Sequence, residues 1–300
     1  MIVNKHKLRI IFNIKGVLIF LVCLTLLLAV VVAGVLINQK IDDRRLADRQ
    51  NRFQAQIDRL SKEEKAIRRA QGYLKTTITQ VEPLHRLFLE YLQRKFSLDG
   101  TLGISGPPID LYEDPRSYPQ EIHFLARIAY PKRLVKQDPK SLLEPVAIMS
   151  VYSANCDHLE FPKNYWQIVQ QNIDAGGYEL THVALALRFL EENRCAIPKN
   201  IQDQNEFIID GLVTLINDPT TIPDLRYEAI AFLMLHDQHS RIKQTWIDQI
   251  ISEQLKDGGW RRDSGSKESN DHTTILAFWA LLEYSRPNTL DEPIIRRPNQ

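Results

Sequence analysis

The chain has 300 residues, 44% hydrophobic and 25% charged, with a formal net charge of +1. This is the composition of a globular protein plus an anchor, and about 260 residues beyond the anchor suffice for one well-filled domain and a stalk. Of the 38 Lys and Arg, Lys5, Lys7, Arg9, Lys15 and Lys40 stand before residue 41, where no acid occurs; the remaining 33 face 37 acids with both signs interspersed, which excludes nucleic acid as a partner.

Residues 17–37, VLIFLVCLTLLLAVVVAGVLI, contain no charge and no proline. At about 1.5 Å per helical residue they reach roughly 30 Å, the thickness of a bilayer's hydrocarbon core. A helix apolar all round needs apolar surroundings on every side, so the run predicts one transmembrane helix acting as a signal-anchor, with residues 1–16 as a cytoplasmic tail. The flanks nearly tie by the positive-inside count, and the brevity of the tail decides for a translocated main domain, periplasmic or equivalent. A cleaved signal peptide is the competing reading, against which the run is longer than an ordinary h-region and residues 29–37 lack a convincing small-x-small site.

Residues 38–97 read as an amphipathic stalk helix running into the core. From residue 41 the only glycine is Gly72 and the only proline Pro83, and Leu46, Phe53, Leu60, Ile67, Leu74 and Val81 recur every seven residues, joined by Ile57 and Ile78. The other seam position is often polar (Gln50, Glu64, Gln71), so two readings stay open. Either residues 46–81 self-associate into a homo-oligomer, or the seam docks on the chain's own C-terminal domain. Past Pro83, Leu84, Leu87, Phe88, Tyr91, Leu92 and Phe96 are too apolar for a solvated stalk and belong to the core.

Residues 98–154 are an irregular, Gly- and Pro-rich linker with helices expected over 121–130 and 141–152, the second started by Asp138-Pro139. From 155 to 286 helical periodicity recurs over 165–173, 178–192, 206–216, 225–235, 243–255 and 271–284. Alternate helices carry similar apolar strings around Ala186, Ala231 and Ala277, spaced by 45 and 46 residues. That period is two helices with their turns, so this region reads as α-hairpin repeats and the protein as all-α. Residues 287–300 lack a helical pattern and read as a loose docking tail.

Gln254, Gly258 and Trp260 match a Gln-x-x-x-Gly-x-Trp signature, of which Asn172, Gly176 and Tyr178 are a degenerate copy, and His272-Thr273-Thr274 opens the last repeat helix. Over about residues 163–286 these features resemble the α/α toroid group of squalene and terpene cyclases and protein prenyltransferase β-subunits. The resemblance implies a partial toroid with a concave face, ligand-facing residues at the starts of inner helices (His182, His272) and a zinc-ligand type of His-Thr segment. The chain departs from the family in lacking the Asp-x-Asp-Asp acid motif, the Asp-x-Cys half of the prenyltransferase zinc site and the thioester motif of complement-type toroids. Those chemistries are therefore not expected, and no cofactor, metal or catalytic residue is assigned.

Cys156 and Cys195 are the only cysteines outside the apolar run, and in an exported domain a bridge between them would close a loop of about 40 residues, adding roughly 3–4 kcal/mol. A metal site using Cys156, Asp157 or His158 competes, with poor spacing because adjacent side chains diverge. His236 and His239 read as solvated histidines at a helix C-terminus, Asp271 as a helix cap, and Phe278 and Trp279 as core. Candidate cleft residues are Tyr178, His182, Trp260, His272 and Asp157. The expected function is membrane-anchored binding or scaffolding of a protein or an apolar or glycan-like ligand near the bilayer. Its rivals are a metal-assisted or acid–base enzyme using His182, His272 and Asp157, and a coiled-coil assembly protein.

Overall fold

A computed structural model describes residues 39–40, 61–98, 100–104, 120–129, 139, 142, 144–287, 289 and 292–295. The chain divides into two units at residues 60 and 61, and the second holds the helical core. The expected cytoplasmic tail, the apolar run at 17–37 and the seam before residue 61 lie outside the described residues, among which no helix is long and apolar enough to cross a membrane. The described part is all-helical, with a single isolated bridge between Trp260 and Asn270 and no strand.

Helix α1 (Lys62–Thr77) begins where Ser61, extended at φ −62° and ψ 163°, accepts the Glu64 N–H at 3.2 Å, with Glu63 and Glu64 favourably placed in the first turn. The expected continuous stalk helix is thus interrupted at Ser61. It breaks again before α2 (Pro83–Lys95), where Glu82 is extended ahead of a proline that has no N–H to give. Ile67, Leu74, Ile78 and Val81 are buried, and α1 packs on α10 (Gln244–Ser252) and α11 (Asp271–Ser285). This part of the seam is spent inside its own chain, so a homo-oligomer through residues 46–81 cannot use it as an exposed stripe.

The linker holds α3 (Gln120–Leu125), which tightens into a 3₁₀ turn, and α4 (Pro145–Ala154). The second linker helix therefore starts at Glu144-Pro145 rather than at Asp138-Pro139; both pairs carry the same start chemistry, but only the later one adjoins the apolar run. The repeat region adds α5 (Tyr165–Ala175), α6 (Gly177–Asn193), a short α7 (Lys199–Gln202), α8 (Asn205–Asn217), α9 (Pro223–Leu235), α10 and α11. Helices α5, α8 and α10 bury one face, whereas α9 is buried at every residue from Arg226 to Leu235 and α11 from Thr273 to Glu283. A helix apolar all round must be surrounded. Accordingly α9 is packed against α6, α8 and α11, α4 against α6, and α1 and α2 against α11.

The segment around Gly258 fastens α1 to this core. Gly258 has φ +100°, and a Cβ there would lie 2.3 Å from the Arg69 carbonyl oxygen, so only glycine lets the two backbones approach. The Gln254 amide donates to the Ala66 and Gly258 carbonyls at 2.9 and 2.8 Å. Trp260 is fully buried, its indole N–H donating to the Ile250 carbonyl at 2.7 Å. At the start of α11 the cap is Asn270, which accepts the Thr273 N–H at 3.0 Å; Asp271 instead accepts the Tyr73 hydroxyl. The tail is not loose over residues 292–295: Ile294 and Ile295 are fully buried and Arg94 pairs with Glu292. Cys156 and Cys195 form the expected disulfide, with Cα atoms 6.2 Å apart.

Candidate functional site

Helices α2, α6, α9 and α11 line a cavity of about 100 Å³, to which α2, α6 and α11 contribute from their first turns onward and α9 from its middle. Its apolar walls include Leu84, Phe88, Leu185, Phe232, Leu276 and Trp279, and its polar side chains are His85, Tyr178, His182, Glu228 and His272. The helical register explains the convergence, because His182 and Tyr178 stand one turn apart on α6, and Asp224 and Glu228 one turn apart on α9.

His272 Nδ1 lies 3.0 and 3.2 Å from the two carboxylate oxygens of Asp224, and the Thr273 hydroxyl donates to the same carboxylate. The rings of His85 and His272 have centroids 4.8 Å apart. His182 Nδ1 is 3.0 Å from the Tyr178 carbonyl oxygen, which makes that nitrogen the N–H donor, and 3.8 Å from Glu228 Oε1. Among the described residues two buried polar atoms here have no hydrogen-bond partner: Glu228 Oε2 and His85 Nδ1.

Burial dominates the proton affinities. It pushes the Glu228 carboxyl up to about 8, against a smaller opposing influence of His272, and it lowers His182 and His85 to about 4, so both rings are neutral at pH 7. Burial also works to lower His272, but the hydrogen bond and charge of Asp224, with Glu228 behind, outweigh it and leave His272 above its ordinary value. Asp224 is the converse: burial pushes up, and the His272 hydrogen bond and charge together with the Thr273 hydroxyl bring it below the carboxylate range. The cleft thus holds one satisfied Asp–His pair, one neutral carboxylic acid and two neutral imidazoles.

Of the five residues singled out from sequence, Tyr178, His182 and His272 meet here. Trp260 does not line the cleft; it packs between α10 and α11 with its indole N–H satisfied. Asp157 lies elsewhere, beside the disulfide, where fully buried Arg127 grips its two oxygens at 2.6 and 2.9 Å and also donates to the Ala154 carbonyl. The trio His182, His272 and Asp157 therefore does not converge, and an enzyme built on it is removed. His236 is not simply solvated: its Nε2 sits 2.8 Å from the Ala184 carbonyl. No group of three or more His, Cys, Asp or Glu is placed to hold a metal ion among the described residues.

Sequence reasoning missed Asp224, Glu228 and His85. The available signal was a pair of acids at i and i+4 in PDLRYEAIAFLML, a helix otherwise too apolar to have a solvated side. Compared with known protein families, characterised proteins and solved structures, the chain matches none.

Proposed function

We propose that this is a membrane-anchored helical-repeat binding protein, working on the extracytoplasmic side, whose cleft between α2, α6, α9 and α11 takes a small ligand with an apolar body and one polar head. The observation that carries the reading is the presence of two buried, unpartnered polar atoms, Glu228 Oε2 and His85 Nδ1, on residues lining one apolar cavity. An unsatisfied buried polar group costs about 1–3 kcal/mol, and a ligand head that supplies the missing partner recovers it. Few convergent polar groups in an apolar hollow are what small-ligand sites look like. The anchor rests on residues 17–37, and the Cys156–Cys195 disulfide supports an oxidising compartment. The resemblance of the repeats to a partial α/α toroid supports the same placement, since ligand-facing residues there come from inner-helix starts.

The test is equilibrium binding of short n-alkyl compounds to the full chain in nanodiscs, read by ligand-observed NMR. Leu276→Trp, which fills the cavity, should weaken binding about tenfold or more by steric exclusion. Undiminished binding in that variant would place the ligand elsewhere. A second reading, acid–base catalysis, is favoured by the Asp224–His272 pair beside a neutral Glu228, which together present an orienting carboxylate, a basic ring and a proton donor. It requires turnover that Asp224→Asn abolishes while ligand binding persists.

A further inference from the structure

We infer that the ligand head for which this cleft is built is an organic ammonium, a protonated primary or secondary amine on a short apolar chain, paired with Glu228 and faced by the rings of Phe88, Tyr178, Phe232 and Trp279. This rests on the proposed binding function and names its ligand class.

Two carboxylates stand one turn apart on α9, Glu228 lining the cleft and Asp224 bonded to His272, which lines it, and of the two only Asp224 has a protonatable partner within hydrogen-bond distance. His272 and Thr273 satisfy Asp224. Glu228, 2% exposed, keeps Oε2 without a partner. Its neighbour His182 cannot serve as the counter-charge, because its Nδ1–H is directed at the Tyr178 carbonyl and burial keeps the ring neutral. What the site lacks is one positive charge with several N–H donors.

The surroundings fit that charge. A neutral imidazole that donates through Nδ1 leaves Nε2 as an acceptor, so His182 offers a second seat for an ammonium proton. Phe88 and Phe232 pack around Trp279 with ring centroids 5.9 and 5.7 Å from it, and Tyr178 lies over His182 at 4.2 Å. Aromatic faces beside a desolvated carboxylate favour an organic cation over a metal ion or a strongly hydrated one. An anionic head would meet two neutral imidazoles, a His272 already engaged with Asp224, and an acid that resists ionisation; no cation awaits it in the cleft. A neutral alcohol could accept from protonated Glu228, and it is the competitor the experiment must separate.

The groups facing Glu228 are Tyr178, Thr181 and His182 on α6, Asp224 on its own helix, His272 on α11, His85 on α2, and the charge of Arg262 acting on the Asp224–His272 pair. Since the acid must ionise for the pair to form, ammonium binding below about pH 8 releases one proton. Loss of the His272 proton above its ordinary range removes a repelling charge and acts in the same direction.

The experiment compares hexylamine with hexan-1-ol on the full chain in zwitterionic nanodiscs at pH 8.5, with empty nanodiscs as the blank, in wild type and Glu228→Gln. The amine should bind about tenfold or more tightly than the alcohol, as a charge pair removed from water does. The preference should vanish in Glu228→Gln. In wild type the amine's affinity should fall by up to about tenfold per pH unit below pH 8 while the alcohol's changes little, a readout that holds even if the variant fails to fold. Equal binding of amine and alcohol overturns the ammonium assignment and leaves the cleft reading standing. Binding of neither overturns both, and an amine preference that survives Glu228→Gln or is flat with pH overturns the role of Glu228.

Discussion

Asp157 and Asp224 each hold a positively charged or protonatable partner, yet the two regions around them differ in what is left over. At the disulfide end Arg127 is fully buried, grips Asp157 and donates to the Ala154 carbonyl, while Asn193 donates to the Ser153 and Ala154 carbonyls at 3.0 Å, and what is left over is one guanidinium nitrogen, Arg127 Nε, and the two amide oxygens of Asn155 and Asn193. The polar groups there mostly tie backbone to backbone. At the cleft Asp224 is equally well served, and the unpartnered atoms belong to the next acid on the same helix and to His85, whose ring lies tilted at 4.8 Å from that of His272. Both regions thus leave buried polar atoms unpaired, but at the staple each belongs to a side chain whose other nitrogens are bonded, whereas at the cleft they belong to an acid and an imidazole that burial holds neutral at pH 7, groups whose charge a ligand can change.

The largest effect expected is at the stapled end. Replacing Cys156 and Cys195 together by serine opens a loop with sequence separation 39, and denaturant unfolding should show a loss of about 4 kcal/mol. Arg127→Met leaves Asp157 with His158 alone and should cost about 3 kcal/mol in the same assay; a loss within error would refute the staple. At the cleft the sign reverses. Glu228 is protonated in the fold up to about pH 8, so wild-type stability falls as pH rises above the ordinary carboxylate range, and Glu228→Gln should be the more stable protein at pH 8 by on the order of 2 kcal/mol, with little advantage at pH 5. Equal stability of the two proteins at pH 8 would mean that the fold does not hold Glu228 in its protonated form.

The wild-type pH profile sharpens the comparison further. His85 and His182 stay neutral in the fold down to about pH 4, so between pH 6.5 and 4 the unfolded chain takes up protons that the folded one does not, and stability drops with acid. Above pH 6.5 Glu228 and His272 both hold protons that the unfolded chain has lost, and stability drops with base. Thermal melting across pH should therefore peak near pH 6.5, a peak that broadens upward in Glu228→Gln. The smallest effect is local: Asn270→Ala removes the cap of α11 and should cost about 1 kcal/mol, whereas Asp271→Ala leaves that cap in place.

Much of the helical layout was legible because it is a one-dimensional property. Apolar spacing located 165–173, 225–235 and 271–284, which the structure extends only by a turn or less to Tyr165–Ala175, Pro223–Leu235 and Asp271–Ser285. The break at Ser61 was harder to read, since the heptad spacing of Leu60, Ile67 and Leu74 runs straight through it and only the serine before Glu63 and Glu64 marks a helix start. Half of the cleft was legible too: His182 and His272 stand out as polar residues opening apolar helices. Asp157 drew attention only because Cys-Asp-His is conspicuous in a row, and Trp260 only because it closes the Gln-x-x-x-Gly-x-Trp signature.

Features set by neighbours along the chain were determined by the amino-acid sequence alone. It marked the apolar run at 17–37, the all-helical character and the hairpin period carried by Ala186, Ala231 and Ala277, and it offered a bridge between the two cysteines outside that run against a metal site, a choice that the structure made for the disulfide. Only the tertiary structure decided which polar side chains share a solvent-poor space. Glu228 is unremarkable in a string of letters; it becomes a raised acid with one unpartnered oxygen only once α6 and α11 cover α9 on both sides and take the water away. Spacing along a helix sets the face a residue occupies, but the dielectric and the partners it meets there belong to other helices, and those set its charge.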